Sequence, residues 1–365
     1  MNIEDTFKPY LKPKLSYKGG KSIKQSQNNK KVYKLSSNEN PIGTSPKVIE
    51  AITAAVNNLH IYPDRTDKKL CEALAVDFDH QLKPSQFLAS NSGCDVIEMI
   101  LRAFINIGDE IIISSPCFVP YQSFSSKLGG VIIDVPLVGD TYAIDVDGII
   151  AAISEKTKVI FLTSPNNPTG SYISKHDMDR LLPQIPQNII VIYDEVYRHF
   201  ADAKDYVTGV PYVQAGYNIV AVNSFSKSYG LAGMRVGYCY SSEKIISYIR
   251  QLSKPFIINK LSSVAAIAAL SDHDFIDKVV NLIKSERQYL ASEFNRLSIL
   301  FTPSHSNFYL IQPPIDAADY VAHLLSHGVM TRATANFGAP GKVRISIGTR
   351  EANEAVVTAI EKLIK

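Results

Sequence analysis

Lys227 lies in Ser224-Phe225-Ser226-Lys227-Ser228-Tyr229-Gly230, a stretch of small hydroxyl residues ending in glycine, and Arg235 follows eight residues later. A lysine on a tight turn, partly desolvated, loses its proton readily and can form a Schiff base with a carbonyl. A nearby arginine presents a planar fork to a phosphate. Ser224 and Ser226 can add donors to the same oxygens. On its own, a lysine in a serine-rich loop is more often solvated than reactive, so other residues must decide.

Three further segments supply them. Ser164-Pro165-Asn166-Asn167-Pro168-Thr169-Gly170 follows the apolar run 159–162. That run reads as a buried strand, and the residues after it are turn formers. Asn167 is thereby placed at a strand's end, where its amide can meet a ligand oxygen. The run 189–193 is a second buried strand, ending in Asp194-Glu195-Val196-Tyr197. A carboxylate at the carboxyl end of a parallel strand faces the crevice where α/β sheets bind ligands. Asn91-Ser92-Gly93-Cys94-Asp95 precedes a helical pattern over 96–104, and free N–H groups at a helix start bind phosphate. Glu195, Arg198 and His199 adjoin Asp194 and are expected at the surface.

The elements that must hold these groups alternate. Strand-like runs at 111–113, 131–133, 159–162, 189–193 and 219–222 are interleaved with helical patterns. This predicts an α/β fold, a mostly parallel sheet covered on both faces. The last third mixes helices (242–252, 261–270, 274–296, 351–364) with strands at 306–311 and 343–347, and reads as a smaller α+β domain. The expected division is an N-terminal arm (1–36), a large domain (37–260) and a small C-terminal domain (261–365). Nine lysines between positions 8 and 34 suit a solvated arm.

Composition sets limits. At 365 residues there is room for two cores. A net charge of +3 gives no field that would call for nucleic acid or a membrane surface. Cys71, Cys94, Cys117 and Cys239 are scattered, so neither a disulfide framework nor a metal site is expected. No secretory leader and no membrane-spanning run is read, which points to the cytoplasm.

Taken together, the Lys227 segment and Ser164–Gly170 resemble the fold-type I pyridoxal-phosphate aminotransferases, from about Tyr17 to the C-terminus. Ser37-Asn38-Glu39-Asn40-Pro41, Tyr62-Pro63-Asp64 and the segment 343–351 are similar to the histidinol-phosphate branch of that family. The resemblance implies pyridoxal 5'-phosphate as cofactor. Lys227 would carry it and act as general base, Asp194 would pair with the ring nitrogen, and Asn167 and Tyr197 would hold the phenolic oxygen. Backbone N–H groups of Cys94 and Asp95, with Ser224, Ser226 and Arg235, would hold the cofactor phosphate. Phe118 would stack on the ring. Tyr62 would reach the phosphate from the other subunit of a homodimer. The helix-start turn departs from the family's usual form, with Asn91 in place of a glycine and Val96 in place of a glutamate. Gly19, after Tyr17-Lys18, stands where the family has proline.

For the substrate, the resemblance gives Arg344 as the anion-binding arginine, with Arg332 and Tyr17 added for a phosphate ester. Asn167 would also touch the substrate. The expected reaction is reversible amino transfer between L-histidinol phosphate and 2-oxoglutarate, with glutamate as the other amine donor. Two alternatives stand beside it: an aromatic amino-acid aminotransferase, and a decarboxylase of the threonine-phosphate type.

Overall fold

The computed structural model describes residues 6–11 and 31–365, so Tyr17 lies outside the described residues. In chain order the strands are β1 (Tyr33–Lys34), β2 (Phe87–Ser90), β3 (Glu110–Ile113), β4 (Val131–Asp134), β5 (Thr157–Thr163), β6 (Ile190–Asp194), β7 (Ile219–Ser224) and β8 (Gly237–Tyr240). There follow β9 (Leu300–Phe301), β10 (Phe308–Gln312), β11 (Val329–Met330), β12 (Arg332–Ala333) and β13 (Val343–Ser346).

The large sheet has the order β2-β8-β7-β6-β5-β3-β4. From β7 to β4 every pairing is parallel, and β8 runs antiparallel to both its neighbours. The β-branched runs of β6 and β7 are buried along their whole length, as both-face coverage demands. Successive residues serve opposite faces. Val191 and Tyr193 join one apolar cluster, while Ile190 and Ile192 join the other. The α/β architecture expected from the alternating runs is the one observed. The antiparallel edge formed by β2 and β8 was not expected.

The helix Gly93–Phe104 begins at Ser92, whose Oγ accepts the Asp95 N–H at 3.1 Å. Its Val96, Ile97, Ile100 and Leu101 form the buried stripe against the sheet. Gly237 faces the helix start so closely that a Cβ there would lie 2.2 Å from the Gly93 nitrogen.

A third cluster surrounds the antiparallel sheet β12-β13-β10-β9 and includes Phe294, Phe308, Ile345 and Val356. β1 pairs in parallel with β11, and Leu35 is buried in this same cluster. The helix Lys260–Leu270 packs differently: its Ala265, Ala266, Ala269 and Leu270 belong to a cluster of the large sheet.

Candidate active site

Parallel pairing lines up the carboxyl ends of the central strands. Thr163 on β5 is in register with Asp194 on β6, and β7 ends next door at Ser224. The loops beyond these ends surround a cavity of about 290 Å³. Its lining brings together Asn167, Asp194, Tyr197, Ser224, Ser226, Lys227 and Arg235 with Cys94, Phe118, Arg332 and Arg344. Residues spread over 251 positions of sequence thus meet at the edge where α/β sheets hold ligands.

The Lys227 turn is fixed from several sides. Gly230 N–H donates to Lys227 O at 3.0 Å. Asn40 Nδ2 donates to Ser228 O at 2.9 Å, and His199 Nδ1 lies 2.9 Å from Ser228 Oγ. Gly230 has φ +69°, and a Cβ there would lie 2.1 Å from Gly43 O. Only glycine allows both that conformation and that approach. Lys227 Nζ donates to Ser37 O at 3.0 Å and lies over the Tyr197 ring. Burial, aided by the Arg344 charge, lowers its pKa to about 8.

Asp194 is buried, and burial pushes its carboxyl up to about 6. Two donors oppose that shift: Tyr121 OH to Oδ2 at 2.6 Å, and Val196 N–H to Oδ1 at 3.1 Å. Tyr121 was missed by sequence reasoning. Its signal was only an aromatic three residues after Phe118, in the first turn of the helix Pro120–Lys127. Asn38 was missed too. It adopts φ +55°, and its Nδ2 donates to Tyr197 OH at 3.0 Å.

Two groups of donors flank Lys227 in the lining. On one side Ser224 Oγ lies 2.9 Å from Ser226 Oγ, beside Arg235, which has a left-handed φ of 54°. On the other, β12 and β13 place Arg332 directly opposite Arg344. Side chains opposite one another in an antiparallel pair share a face, and like charges there repel. Both guanidiniums lie near the Phe337 ring. Arg344 is anchored by Nη1 to Asn167 Oδ1 at 2.5 Å and by Nη2 to Ser36 O at 2.7 Å.

Other expected residues fall elsewhere. Asp95 does not line the cavity; its carboxylate binds Ser90 Oγ and Asn91 N–H, and its own N–H serves the Ser92 cap. Cys94 does line it, and burial holds its thiol up at about 11. Tyr62 is 79% exposed and stacked on Phe256 at 4.9 Å, away from the cavity of its own chain. Glu195 is not at the surface. It is fully buried under β6, accepting from Asn223, Tyr240 and the Gly209 N–H. Arg198 and His199 are half-buried, Arg198 paired with Asp77 at 3.5 Å. The surface expectation failed because turn residues after a strand can fold back beneath the sheet. His323 and His327 stand four apart on the helix Ala317–Ser326 and the turn after it, an H-x-x-x-H spacing that the sequence reading wrongly held to be absent. Their nitrogens meet the carbonyls of Ala359 and His323, and no group of three potential metal ligands occurs among the described residues.

The family model described as "Aminotransferase class I and II" matches residues 30–360. Histidinol-phosphate aminotransferase of Moorella thermoacetica is 34% identical, the match covering 95% of this chain and 90% of the relative. Histidinol-phosphate aminotransferase 2 of Hydrogenovibrio crunogenus is 35% identical over 99% of this chain and 96% of its own. The solved histidinol-phosphate aminotransferase of Sinorhizobium meliloti, in complex with pyridoxal-5'-phosphate, shares the fold with a TM-score of 0.80 at 24% identity. That match covers 92% of this chain and 91% of the other.

Proposed function

Because the chain belongs to the class I and II aminotransferases, we propose that it transfers the amino group of L-histidinol phosphate to 2-oxoglutarate, using pyridoxal 5'-phosphate. The lining suits that cofactor. Ser224, Ser226 and Arg235 form a donor-rich corner at the start of the helix Gly93–Phe104, fit for a phosphate. Bound there, the cofactor supplies an aldehyde and an electron-withdrawing ring.

The protein's own groups then have separable tasks. Lys227 Nζ would attach the cofactor and, once the substrate amine has taken its place there, would be free to move the proton at the carbon bearing that amine. Its lowered pKa keeps much of it neutral near pH 8. Asp194 holds a positive charge at the ring nitrogen, its Oδ2 fixed by Tyr121. Asn167, whose Oδ1 accepts from Arg344, would offer its Nδ2 to the cofactor's phenolic oxygen, together with Tyr197. Phe118 supplies an apolar wall. Asp95 is proposed to act only by stabilising the helix start.

The observation that carries the substrate is the opposed pair Arg332 and Arg344. Two adjacent cations suit a phosphate ester, which bears nearly two charges and three acceptor oxygens. Tyr17 is proposed to close over that phosphate. Glutamate and 2-oxoglutarate would use the same arginines through a carboxylate.

We further propose a homodimer acting in the cytoplasm. Exposed Leu59, Ile61, Tyr62 and Phe256 form an apolar rim suited to a second copy. Among the described residues no helix is long and apolar enough to cross a membrane. For the two lobes, the packing of Lys260–Leu270 against the large sheet favours a division near Asp272 over one at 260.

The test is a coupled assay with histidinol phosphate and phenylalanine side by side, each with 2-oxoglutarate. Dominant turnover of histidinol phosphate is expected. Dominant turnover of phenylalanine would instead assign an aromatic amino-acid aminotransferase.

A further inference from the structure

Among the described residues the cavity is lined by two carboxylates, and Asp194 accounts for only one. The other is Glu39, which lines the same space as Lys227, Arg332 and Arg344. It is positioned from both sides. Asn38 is locked by Ser346, Asn307 and Tyr197: its N–H donates to Ser346 Oγ at 2.9 Å, its carbonyl accepts Asn307 Nδ2, and its Nδ2 donates to Tyr197 OH. Asn40 is tied to Ser228 O, next to the reactive lysine. Glu39 Oε1 accepts from Lys34 Nζ at 2.6 Å, while Oε2 accepts nothing from the described residues. The carboxylate is close enough to Lys227 to counter part of the lowering of its pKa.

We propose that Glu39 determines specificity by accepting a hydrogen bond from the imidazole ring of the amine donor. The inference rests on the reading of histidinol phosphate as substrate. That molecule carries a phosphate, an amine and an imidazole. The arginine pair takes the first and Lys227 faces the carbon bearing the second. The imidazole N–H, cationic at low pH, is the remaining group in need of an acceptor. Among the described residues, Glu39 is the only carboxylate in the lining apart from Asp194. Lys34 anchors one oxygen, which leaves the other for the ring.

Holoenzyme and its Glu39→Gln variant are compared with histidinol phosphate and with phenylalaninol phosphate, in which a phenyl ring without donors replaces imidazole. The variant should lose about tenfold to a hundredfold in kcat/KM on histidinol phosphate, the range for one hydrogen bond to a charged group. It should lose less than about threefold on phenylalaninol phosphate. The loss on histidinol phosphate should deepen as pH falls through roughly 6.5, where the ring gains its charge. A Lys34→Met variant, which keeps Glu39, should still prefer the imidazole donor. Equal losses on both donors, no loss on either, or a pH-independent loss would overturn the inference while leaving the substrate reading intact. Failure of the unmodified enzyme to use histidinol phosphate at all would overturn both.

Discussion

Asp194 is held in tension between burial, which raises its pKa, and two donors that favour its anion. In the cofactor-free protein the raised pKa makes stability depend on pH. A carboxyl that binds its proton more tightly folded than unfolded stabilises fully below about pH 4, and that contribution is lost as pH rises through about 6. Asp194→Asn removes the dependence. Thermal melts of the two cofactor-free proteins should therefore diverge between about pH 4 and 6, with the variant gaining relative to wild type. The same substitution should lower kcat by about a hundredfold or more, because an amide cannot hold a cation at the ring nitrogen. Near-wild-type kcat would reduce Asp194 to a structural part. Lys227 gives a second expectation with the opposite sense. Its neutral form grows as pH rises through about 8, so the rate of pyridoxal-phosphate capture, followed by visible absorbance, should rise there and then level off. A flat rate from pH 6 to 10 would contradict the lowered pKa.

At the scale of elements, two contacts matter most. The pairing of β12 with β13 puts Arg332 against Arg344, a repulsive arrangement that a dianionic ligand relieves. Arg332→Ala should lower kcat/KM for histidinol phosphate by about a hundredfold. Phenylalanine should lose much less, since Arg344 remains for its carboxylate, and equal small losses would remove the charge argument. The contact of β8 with the helix Gly93–Phe104 depends on the missing side chain of Gly237. Gly237→Ala drives a methyl into the Gly93 backbone and should destabilise by about 1–3 kcal/mol. It should also weaken pyridoxal-phosphate affinity, because the helix start must shift. Unchanged melting and affinity would show that the strand and helix can separate freely. These elements also show what the sequence makes legible. The parallel core was readable because β5, β6 and β7 are unbroken β-branched runs. Lys227, Asp194 and Asn167 were readable because turn chemistry fixes them to strand ends. Strands of two residues such as β12 carry no period of their own, so the opposition of the arginines was not readable. Nor were the contacts of Tyr121, Asn38 and Glu39, since each depends on chain brought from far away.

For the whole molecule, the exposure of Tyr62 is what supports the proposed homodimer. A tyrosine 79% exposed beside Leu59, Ile61 and Phe256 would be an odd choice for a surface left in water. If it completes the site of a second copy, mixed dimers of Lys227→Ala and Tyr62→Phe should contain one intact site and recover part of the activity that each variant lacks alone. Sedimentation should show a dimer at working concentrations, and a fully active monomer would refute the shared site.

The anchoring of Arg344 has a consequence for the entropy of binding. Its guanidinium already donates to the neutral oxygens of Asn167 and Ser36. A guanidinium carries five N–H donors, so two such bonds do not exhaust it, and a ligand need not displace either oxygen. They fix the plane of the group instead. The long side chain is therefore ordered by the fold before any ligand arrives, and binding loses correspondingly little rotational freedom.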